Sequence, residues 1–430
     1  MILNNKIVRN ASWIIICRVA QAVLSLIIGM LTARYLGPSN YGVVNYAASI
    51  AAFVLPVACL GLNHVLVQET IQHPGEEGAI YGTSLILSIV SSVFCTLGLL
   101  AFVSVANAGE TETILVCALY SLVLLFQALE LMQYWFQAHY LSKYCSVISL
   151  CAYALISAYK IYLLSTKRSI YWFAVSNALD YALIAVALII TYRKLGGQKF
   201  RFSFPVAKRM LSQSRHYILS SMMVTVFAQT DKIMLTLMLD EAVTGYYSAA
   251  VTCAGMTGFV FSAILDSVRP AVFEAKKESK EKVERHMSLL YCLIIYLSLA
   301  QSAAMTLLAK PIILILYGTD YSPAVAGLRI VVWYTTFAYI GSARNIWILS
   351  EQKQKYLWII NLSGASANVL LNALLIPHFG LNGAAIASLV TQFFTNFIVT
   401  FFIKPIRRNN TLIFRGLDIR QVVRYFKKEA

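Results

Sequence analysis

Charged residues are scarce in this 430-residue chain, at 13% of the sequence, and acidic residues are the scarcer kind, with 19 Asp and Glu against 35 Lys and Arg. Hydrophobic residues make up 59% of the chain. This balance excludes an ordinary soluble domain, because a water-facing surface needs far more charge. None of the segments between the hydrophobic runs is long enough to fold as a soluble domain of its own.

The sequence also lacks the motifs that most enzymes and metalloproteins carry. It has no P-loop or dinucleotide-binding glycine pattern, and its six histidines are scattered at or beyond the ends of the hydrophobic runs. Its eight cysteines form no CxxC pair and no cluster at metal-binding spacing, so we interpret them as small apolar packing residues. We therefore expect no enzyme activity, no catalytic residue, no metal site and no cofactor. A cleaved signal peptide is not expected either, because the first apolar run is too long and ends at Arg34 without a small-residue cleavage pattern.

Twelve hydrophobic runs are present, each about as long as the 20 residues that cross a bilayer as an α-helix. The predicted spans are residues 11–34, 42–67, 80–106, 113–138, 144–164, 170–192, 217–238, 245–268, 287–308, 323–349, 357–376 and 381–403. The sequence therefore predicts a multi-pass membrane protein.

The basic residues that give the chain its net charge of +16 are distributed unevenly among the segments between these spans. Of the 35 basic residues, 26 fall on one set of alternate loops, four on the other set and five inside spans. Because cytoplasmic loops carry the basic excess, both termini are predicted to be cytoplasmic. This distribution explains the positive net charge by membrane topology, so the charge does not indicate a nucleic-acid partner. Basic stretches such as residues 276–278 are expected to touch anionic lipid headgroups.

The two halves of the chain repeat each other at a spacing of about 203 residues, a shift at which helix faces superimpose. The polar and small residues of the second span, from Asn45 to Asn63, correspond to Ser248 to Asp266 in the eighth. Six spans in each half give both halves the same orientation, as in transporters built from parallel repeats.

The predicted fold is an all-α integral membrane protein with twelve transmembrane helices in two parallel six-helix lobes around a central cavity. The lobes are residues 1–205 and 206–404, followed by a basic cytoplasmic tail, residues 405–430. Apolar and basic residues alternate in that tail, which indicates a helix lying on the inner membrane surface. A disordered basic tail stays an alternative.

Polar stripes mark the first and seventh spans. The first carries Arg18, Gln21, Ser25, Gly29 and Thr32 on one face, and the seventh carries Ser221, Thr225, Gln229, Lys232 and Thr236. Unpaired polar groups in lipid cost several kcal/mol, so these faces must meet other helices or line a polar cavity. Interhelical hydrogen bonding stays an alternative, but the matching stripes in both halves favour a cavity.

Nine charged residues lie inside the predicted spans. The basic ones are Arg18, Lys160, Lys232, Arg329 and Arg344, and the acidic ones are Glu130, Asp180, Asp231 and Asp266. A charge at mid-bilayer costs at least about 2.5 kcal/mol on insertion scales, so such residues mark functional sites by default. Arg18 and Arg344 lie roughly 10 Å from the inner ends of their spans, at 1.5 Å per residue, where extension to the interface stays an alternative. Lys160 and Arg329 lie near the outer ends, and we expect their side chains to extend to the interface.

Four segments resemble the signatures of Wzx-type polysaccharide repeat-unit flippases, a branch of the multidrug/oligosaccharidyl-lipid/polysaccharide (MOP) exporter superfamily. They are residues 32–42 (TARYLGPSNYG), 134–138 (YWFQA), 230–250 (TDKIML through GYYSAA) and 368–388 (from NVLLN through PHFGLNGAAIAS). Each motif alone is weakly specific, but the four occur in the family's order and together span almost the whole chain.

The resemblance implies a protein that moves undecaprenyl-pyrophosphate-linked oligosaccharide repeat units from the inner to the outer leaflet of the bacterial cytoplasmic membrane, by alternating access. The products would be O-antigen, capsule or exopolysaccharide. A polar cavity would replace water around the sugar hydroxyls, and cations would bind the pyrophosphate through charge-assisted hydrogen bonds.

Site residues follow from the stripes and charges rather than from the resemblance itself. We expect Arg18, Lys232 and Arg344 to bind the pyrophosphate or acidic sugars, and Gln21, Ser25, Asn45, Thr225 and Gln229 to line the sugar path. Asp180, Glu130 and Asp231 are the candidates for exchanging a proton or a sodium ion against substrate, as buried carboxylates do in transporters.

Three other functions stay open. A lipid II flippase of the same superfamily usually has two further spans, and a cation-coupled multidrug antiporter should favour carboxylates in its cavity. A membrane glycan polymerase or ligase is disfavoured by the short outer loops. Expected partners are the lipid-linked oligosaccharide, membrane lipids and other polysaccharide-assembly proteins. We expect a monomer, because the duplicated halves already supply two lobes.

Overall fold

The computed structural model describes residues 2–418, and side chains from residue 16 onward. Every regular element within that range is helical. The chain separates into two compact units, Met1–Gln229 and Thr230–Ala430, and each is described by itself. The predicted lobe boundary at residues 205 and 206 stays a prediction. The apolar residues of the predicted surface helix, residues 419–426, lie outside the described part of the chain.

The first unit consists of seven helices and the first part of an eighth. They are α1 (Ile2–Ala58), α2 (Leu66–Gln72), α3 (Glu77–Ala106), α4 (Thr111–Leu129), α5 (Gln133–Ala138), α6 (Ser142–Ser165), α7 (Ile170–Lys194) and α8 (Phe204–Met238). Helix α1 is broken at Gly37, whose φ of 72° is rarely adopted by residues with a side chain. Pro38 follows directly, so the chain breaks between the first two predicted spans, residues 11–34 and 42–67, as their bounds imply.

The second unit contains the rest of α8 and seven further helices. They are α9 (Glu241–Gly255), α10 (Gly258–Glu278), α11 (Lys280–Leu316), α12 (Ala324–Ser350), α13 (Leu357–Phe393), α14 (Val399–Phe402) and α15 (Arg407–Gly416). Helix α13 is broken at Gly380, with a φ of 56°. A Cβ on Gly383 would lie 2.3 Å from the carbonyl oxygen of Leu375, so this tight turn requires glycine there as well.

Within residues 2–418, the helices are consistent with the twelve predicted membrane spans. Eight segments are long and apolar enough to cross a membrane, and the α9–α10 pair, bent by 43°, makes a ninth. Two of the eight, residues 16–58 and 354–402, contain the breaks at Gly37 and Gly380, so each supplies two spans. Helix α8 contains the seventh predicted span, residues 217–238. The predicted all-α membrane fold is therefore confirmed, whereas the central cavity stays a prediction.

One predicted loop is wrong. Residues 269–286 are not a loop, because α10 continues to Glu278 and α11 begins at Lys280. The segment is charged, so it gives no apolar run, although its helical turns are intact. Exposed apolar side chains elsewhere, such as Val105 at 81% and Leu307 at 79%, suit a lipid environment.

The basic segment after α7, which connects to α8, is packed against α3. The backbone nitrogen of Arg201 donates to the carbonyl of Gly78 (2.9 Å), and the nitrogen of Gly78 donates to Oε1 of Gln198 (2.9 Å). A Cβ on Gly82 would lie 2.5 Å from the carbonyl oxygen of Arg201. The two glycines, four residues apart, therefore form the groove that holds this linker.

In the second unit, α15 packs against α11. Arg408 forms two hydrogen bonds with Glu284, Nε to Oε1 at 2.9 Å and Nη2 to Oε2 at 2.8 Å, and Arg415 contacts the same carboxylate at 3.2 Å. The hydroxyl of Tyr291 donates to Oδ1 of Asn409 (2.6 Å). The described start of the predicted tail is thus a packed helix.

Candidate functional site

A cavity of about 280 Å³ lies beside the N-terminal part of α1 in the first unit. Arg18 and Gln21 line it from α1, and the other polar lining comes from Gln133, Gln137, Ser142, Ser146 and Ser149 on α5 and α6. The lining contains a cation and no carboxylate. Such a surface offers an anion both charge and hydrogen-bond donors.

A second cavity, of about 410 Å³, continues along the same helix. Its lining includes Gln21, Ser25, Gly29, Thr32, Tyr41, Asn45, Tyr120, Tyr153, Lys160, Asn177, Asp180 and Tyr181. Its volume falls within the range of about 300–1,000 Å³ that is usual for small-molecule sites. Most of its lining residues carry a polar side-chain group, so this space suits a ligand rich in hydroxyls.

The two cavities are adjacent because both are lined by Gln21. The whole predicted stripe of the first span, Arg18 to Thr32, faces one cavity or the other. Steps of three and four residues put these side chains on one helix face. For the first span, therefore, the stripe lines cavity space rather than closed helix contacts.

Lys160 and Asp180 lie together in the larger cavity. The sequence favoured a Lys160 side chain extended to the outer interface, but its Nζ instead donates to Oδ1 of Asn177 (3.1 Å). Asn177 lies on α7, three residues before Asp180. Its hydrogen bond therefore keeps the Lys160 ammonium beside α7. Oδ1 of Asp180 is buried and has no hydrogen-bond partner within the described residues.

Glu130, another coupling candidate, lies at the end of α4 and lines neither cavity. It is half-buried. Its role in ion coupling stays a prediction.

Asp231 is the centre of a buried polar cluster in the second unit. Its side chain is 6% exposed, and its Oδ1 accepts hydrogen bonds from Asn372 (2.6 Å) and Asn368 (3.0 Å). Its Oδ2 accepts from the hydroxyls of Tyr247 and Ser388. The carboxylate lies on α8, and the four donors of this shell lie on α9 and α13.

The groups that face Asp231 are hydrogen-bond donors, namely two amide NH2 groups and two hydroxyls. The amide oxygen of Asn372 is buried without a hydrogen-bond partner among the described residues. The role of Asp231 in exchanging a proton or a sodium ion stays a prediction.

Lys232, the neighbour of Asp231, is half-buried on α8. Its carbonyl oxygen accepts hydrogen bonds from Thr236 (3.2 Å) and Thr244 (3.4 Å). The ammonium forms no ion pair with a carboxylate within the described part of the chain.

Arg344 is a buried cation on α12, only 4% exposed. Its Nη1 donates to the carbonyl of Thr395 (3.4 Å) and its Nη2 to Oδ1 of Asn345 (3.1 Å), while Nε has no partner among the described residues. Thr395 belongs to a π-helical turn, Phe394–Ile398, a local distortion often found at functional sites. The guanidinium lacks a described carboxylate partner, so its full charge is uncompensated.

The structure brings together some of the predicted site residues and not others. Arg18, Gln21, Ser25, Asn45 and Asp180 line the two cavities of the first unit. Thr225 and Gln229 line neither; both are half-buried on α8, and the hydroxyl of Thr225 donates to the carbonyl of Ser221 (3.0 Å). Their predicted role, like that of the cavity residues, stays a prediction.

The shell of Asp231 was not foreseen as a site. Its members Tyr247, Asn368, Asn372 and Ser388 all lie within the signature segments of the family resemblance. The sequence signal was the Asn368–Asn372 pair, four residues apart and thus on one face of an otherwise apolar span. Its connection to Asp231 requires tertiary structure.

Comparison with known proteins identifies related chains. Residues 31–326 match the protein family described as "Polysaccharide biosynthesis protein". The chain is 22% identical over 410 residues to capsular polysaccharide biosynthesis protein CapF of Staphylococcus aureus, which covers 93% of this chain and 100% of CapF. It is 31% identical over 247 residues to the uncharacterized membrane protein MJ1068 of Methanocaldococcus jannaschii, which covers 52% of this chain and 47% of that protein.

Two kinds of solved structure share the fold. Lipid II flippase MurJ in an inward closed conformation matches with a TM-score of 0.73 and 15% identity, over 96% of this chain and 92% of that one. An inward-facing multidrug resistance MATE family transporter of the MOP superfamily matches with a TM-score of 0.65 and 13% identity, over 91% and 95%. Because the family match covers most of the chain, the protein belongs to the polysaccharide biosynthesis protein family, and it has the MOP transporter fold that the resemblance to Wzx-type flippases predicted.

Proposed function

We propose that this protein is a flippase that carries undecaprenyl-pyrophosphate-linked oligosaccharide repeat units from the inner to the outer leaflet of the cytoplasmic membrane. The observation that carries the proposal is the α1 stripe, which lines two adjoining polar cavities within a bundle of membrane helices. Each sugar hydroxyl that crosses hydrocarbon without a partner costs several kcal/mol. A continuous polar surface along one helix would offer each hydroxyl a hydrogen-bond partner as the sugar crosses, and would so remove that cost.

The chemistry of the two cavities suits the two polar parts of such a substrate. The cavity at Arg18 has positive charge and amide and hydroxyl donors, which suit a pyrophosphate. The larger cavity has hydroxyls, amides and one charge of each sign, which suit sugar. The prenyl chain needs no polar surface and can stay in lipid.

We further propose that Asp231 couples the transport to an ion gradient. Asp231 lies on α8 and its four hydrogen-bond donors lie on α9 and α13, so a change in its charge would change how tightly these three helices are held together. A membrane potential or a sodium gradient would then supply the free energy for a directed cycle. Transport that persists after both gradients are collapsed would remove this part of the proposal.

The function is tested by replacing Arg18 with alanine in cells that depend on this gene for surface glycan. Loss of the charge-assisted bonds to phosphate should lower surface glycan at least about tenfold, while the amount of protein in the membrane stays unchanged. Lys310→Ala, which removes an exposed cation at the end of α11, is the matched control and should behave as the wild type. Normal surface glycan with Arg18→Ala would contradict the proposed role of this cavity.

A further inference from the structure

The pair Lys160 and Asp180 differs from an ordinary membrane ion pair. Opposite charges in a low-dielectric interior attract each other strongly and normally pair directly. Here the ammonium donates to Asn177 instead, and Oδ1 of Asp180 stays buried without a partner among the described residues. Both groups line the same cavity. The arrangement therefore leaves a donor and an acceptor on the wall of one cavity for a ligand.

The charge of the cavity limits the ligand. Lys160 is the cation of its described lining and Asp180 is the carboxylate, so the two charges cancel. An anionic sugar would meet the repulsion of Asp180, and a cationic one would meet the repulsion of Lys160. A group that accepts a hydrogen bond at one atom and donates one at the next satisfies both residues without adding charge.

Aromatic residues define the rest of the space. Tyr120, Tyr153 and Tyr181 each present an apolar ring and a hydroxyl to the cavity. Such aromatic rings pack against the apolar face of a sugar ring, and their hydroxyls form hydrogen bonds with the substituents of that sugar. The volume of about 410 Å³ is enough for a small ligand of this kind.

We propose that the larger cavity of the first unit binds an uncharged sugar ring through a substituent that donates and accepts hydrogen bonds at adjacent atoms, held between Asp180 and Lys160. Two substituents have this chemistry: a pair of vicinal hydroxyls, and an acetamido group. This inference rests on the proposed function, and it adds the class of sugar and the two residues that select it.

The test measures binding of methyl glycosides to purified protein in lipid nanodiscs by saturation-transfer NMR. Methyl glucoside presents vicinal hydroxyls, methyl N-acetylglucosaminide an acetamido group, and methyl glucuronide a carboxylate. The wild type should bind one or both of the first two and discriminate against the glucuronide. Asp180→Asn should reverse that preference, with a gain for the glucuronide of about tenfold relative to the neutral glycosides, because it leaves Lys160 uncompensated.

Lys160→Gln is the complementary variant and should weaken binding of the neutral glycosides about tenfold without any gain for the glucuronide. A reversal of preference cannot come from loss of folding, so it separates recognition from a structural role. Lys310→Ala should match the wild type. Absence of binding to any neutral glycoside, equal binding by the wild type and both variants, or a wild-type preference for the glucuronide would overturn the inference.

Failure of this inference and failure of the proposed function give different results. If no glycoside binds but deletion of the gene still stops surface glycan, the sugar-class inference falls and the transport function stands. If the glycosides bind as expected but deletion leaves surface glycan unchanged, the cavity binds sugar and the transport function falls.

Discussion

The side-chain amide of Asn372 donates a 2.6 Å hydrogen bond to Oδ1 of Asp231. Asn368, one turn earlier on α13, donates to the same oxygen at 3.0 Å. The two amides fix the orientation of a carboxylate on α8, so α13 and α8 share one polar centre inside the second unit.

Replacing Asp231 with asparagine should stop transport without unfolding the protein. The amide retains an oxygen for Asn368 and Asn372, but it carries no charge and cannot take up a proton. We expect surface glycan to fall at least about tenfold, measured against the amount of protein in the membrane. Asp240→Asn makes the same chemical change at the exposed N-cap of α9, where both residues cap well, and should have no effect. Full activity of Asp231→Asn would exclude a coupling role.

Replacing Arg344 with methionine should separate stability from transport. A buried guanidinium without a described carboxylate partner lowers stability, and an apolar side chain of similar length often raises it, by about 1–4 kcal/mol in comparable cases. We therefore expect an unchanged or higher melting temperature in detergent, together with loss of surface glycan. If Arg344 is only structural, the variant will lose stability and retain transport in proportion to the folded protein.

Replacing Gly82 with alanine should release the linker from α3. The added Cβ would lie within 2.6 Å of backbone atoms of Arg201, a clash that costs about 1–3 kcal/mol. Trypsin should then cleave at Lys199 and Arg201 faster than in the wild type, as seen by mass spectrometry of the fragments. Gly98→Ala lies on the same helix with nothing within 4 Å of its Cβ, and its cleavage rate should equal that of the wild type. Equal rates for both variants would show that the linker does not need the groove.

Replacing Glu284 with glutamine should loosen α15. Arg408 and Arg415 both use this carboxylate, and loss of these charge-assisted bonds should cost about 1–3 kcal/mol. Hydrogen exchange across residues 407–416 should accelerate accordingly. Glu278→Gln removes an exposed partner of Lys282, and since exposed pairs contribute little, it should leave exchange unchanged. Protection of α15 that survives Glu284→Gln would assign its docking to apolar contacts alone.

Much of the fold could be predicted from the sequence because the bilayer imposes a simple rule on it. Each span must be apolar over about 20 residues, and its backbone must be helical. The break at Gly37 was visible as glycine directly before Pro38, and the break at Gly380 as glycine three residues after Pro377. The helical turns between Arg269 and Arg285 were missed because they carry charge, so hydropathy gives no sign of them.

The site was predictable where one helix carries it. The stripe from Arg18 to Thr32 repeats at helical spacing, and that spacing alone puts its members on one cavity wall. Partners on other helices were not predictable: Asn372 is 141 positions from Asp231, and Lys160 was expected to extend away from Asp180. Tertiary packing decides these contacts, and local sequence does not report it.

The most direct test of the central claim is the leaflet distribution of lipid-linked repeat units in cells that lack this protein. Repeat units can be labelled with a membrane-impermeant reagent specific for their sugars, before and after the inner leaflet is exposed. We predict accumulation on the inner leaflet, relieved by the wild-type gene and not by Arg18→Ala. Accumulation on the outer leaflet, or no accumulation at all, would contradict the assignment as a flippase.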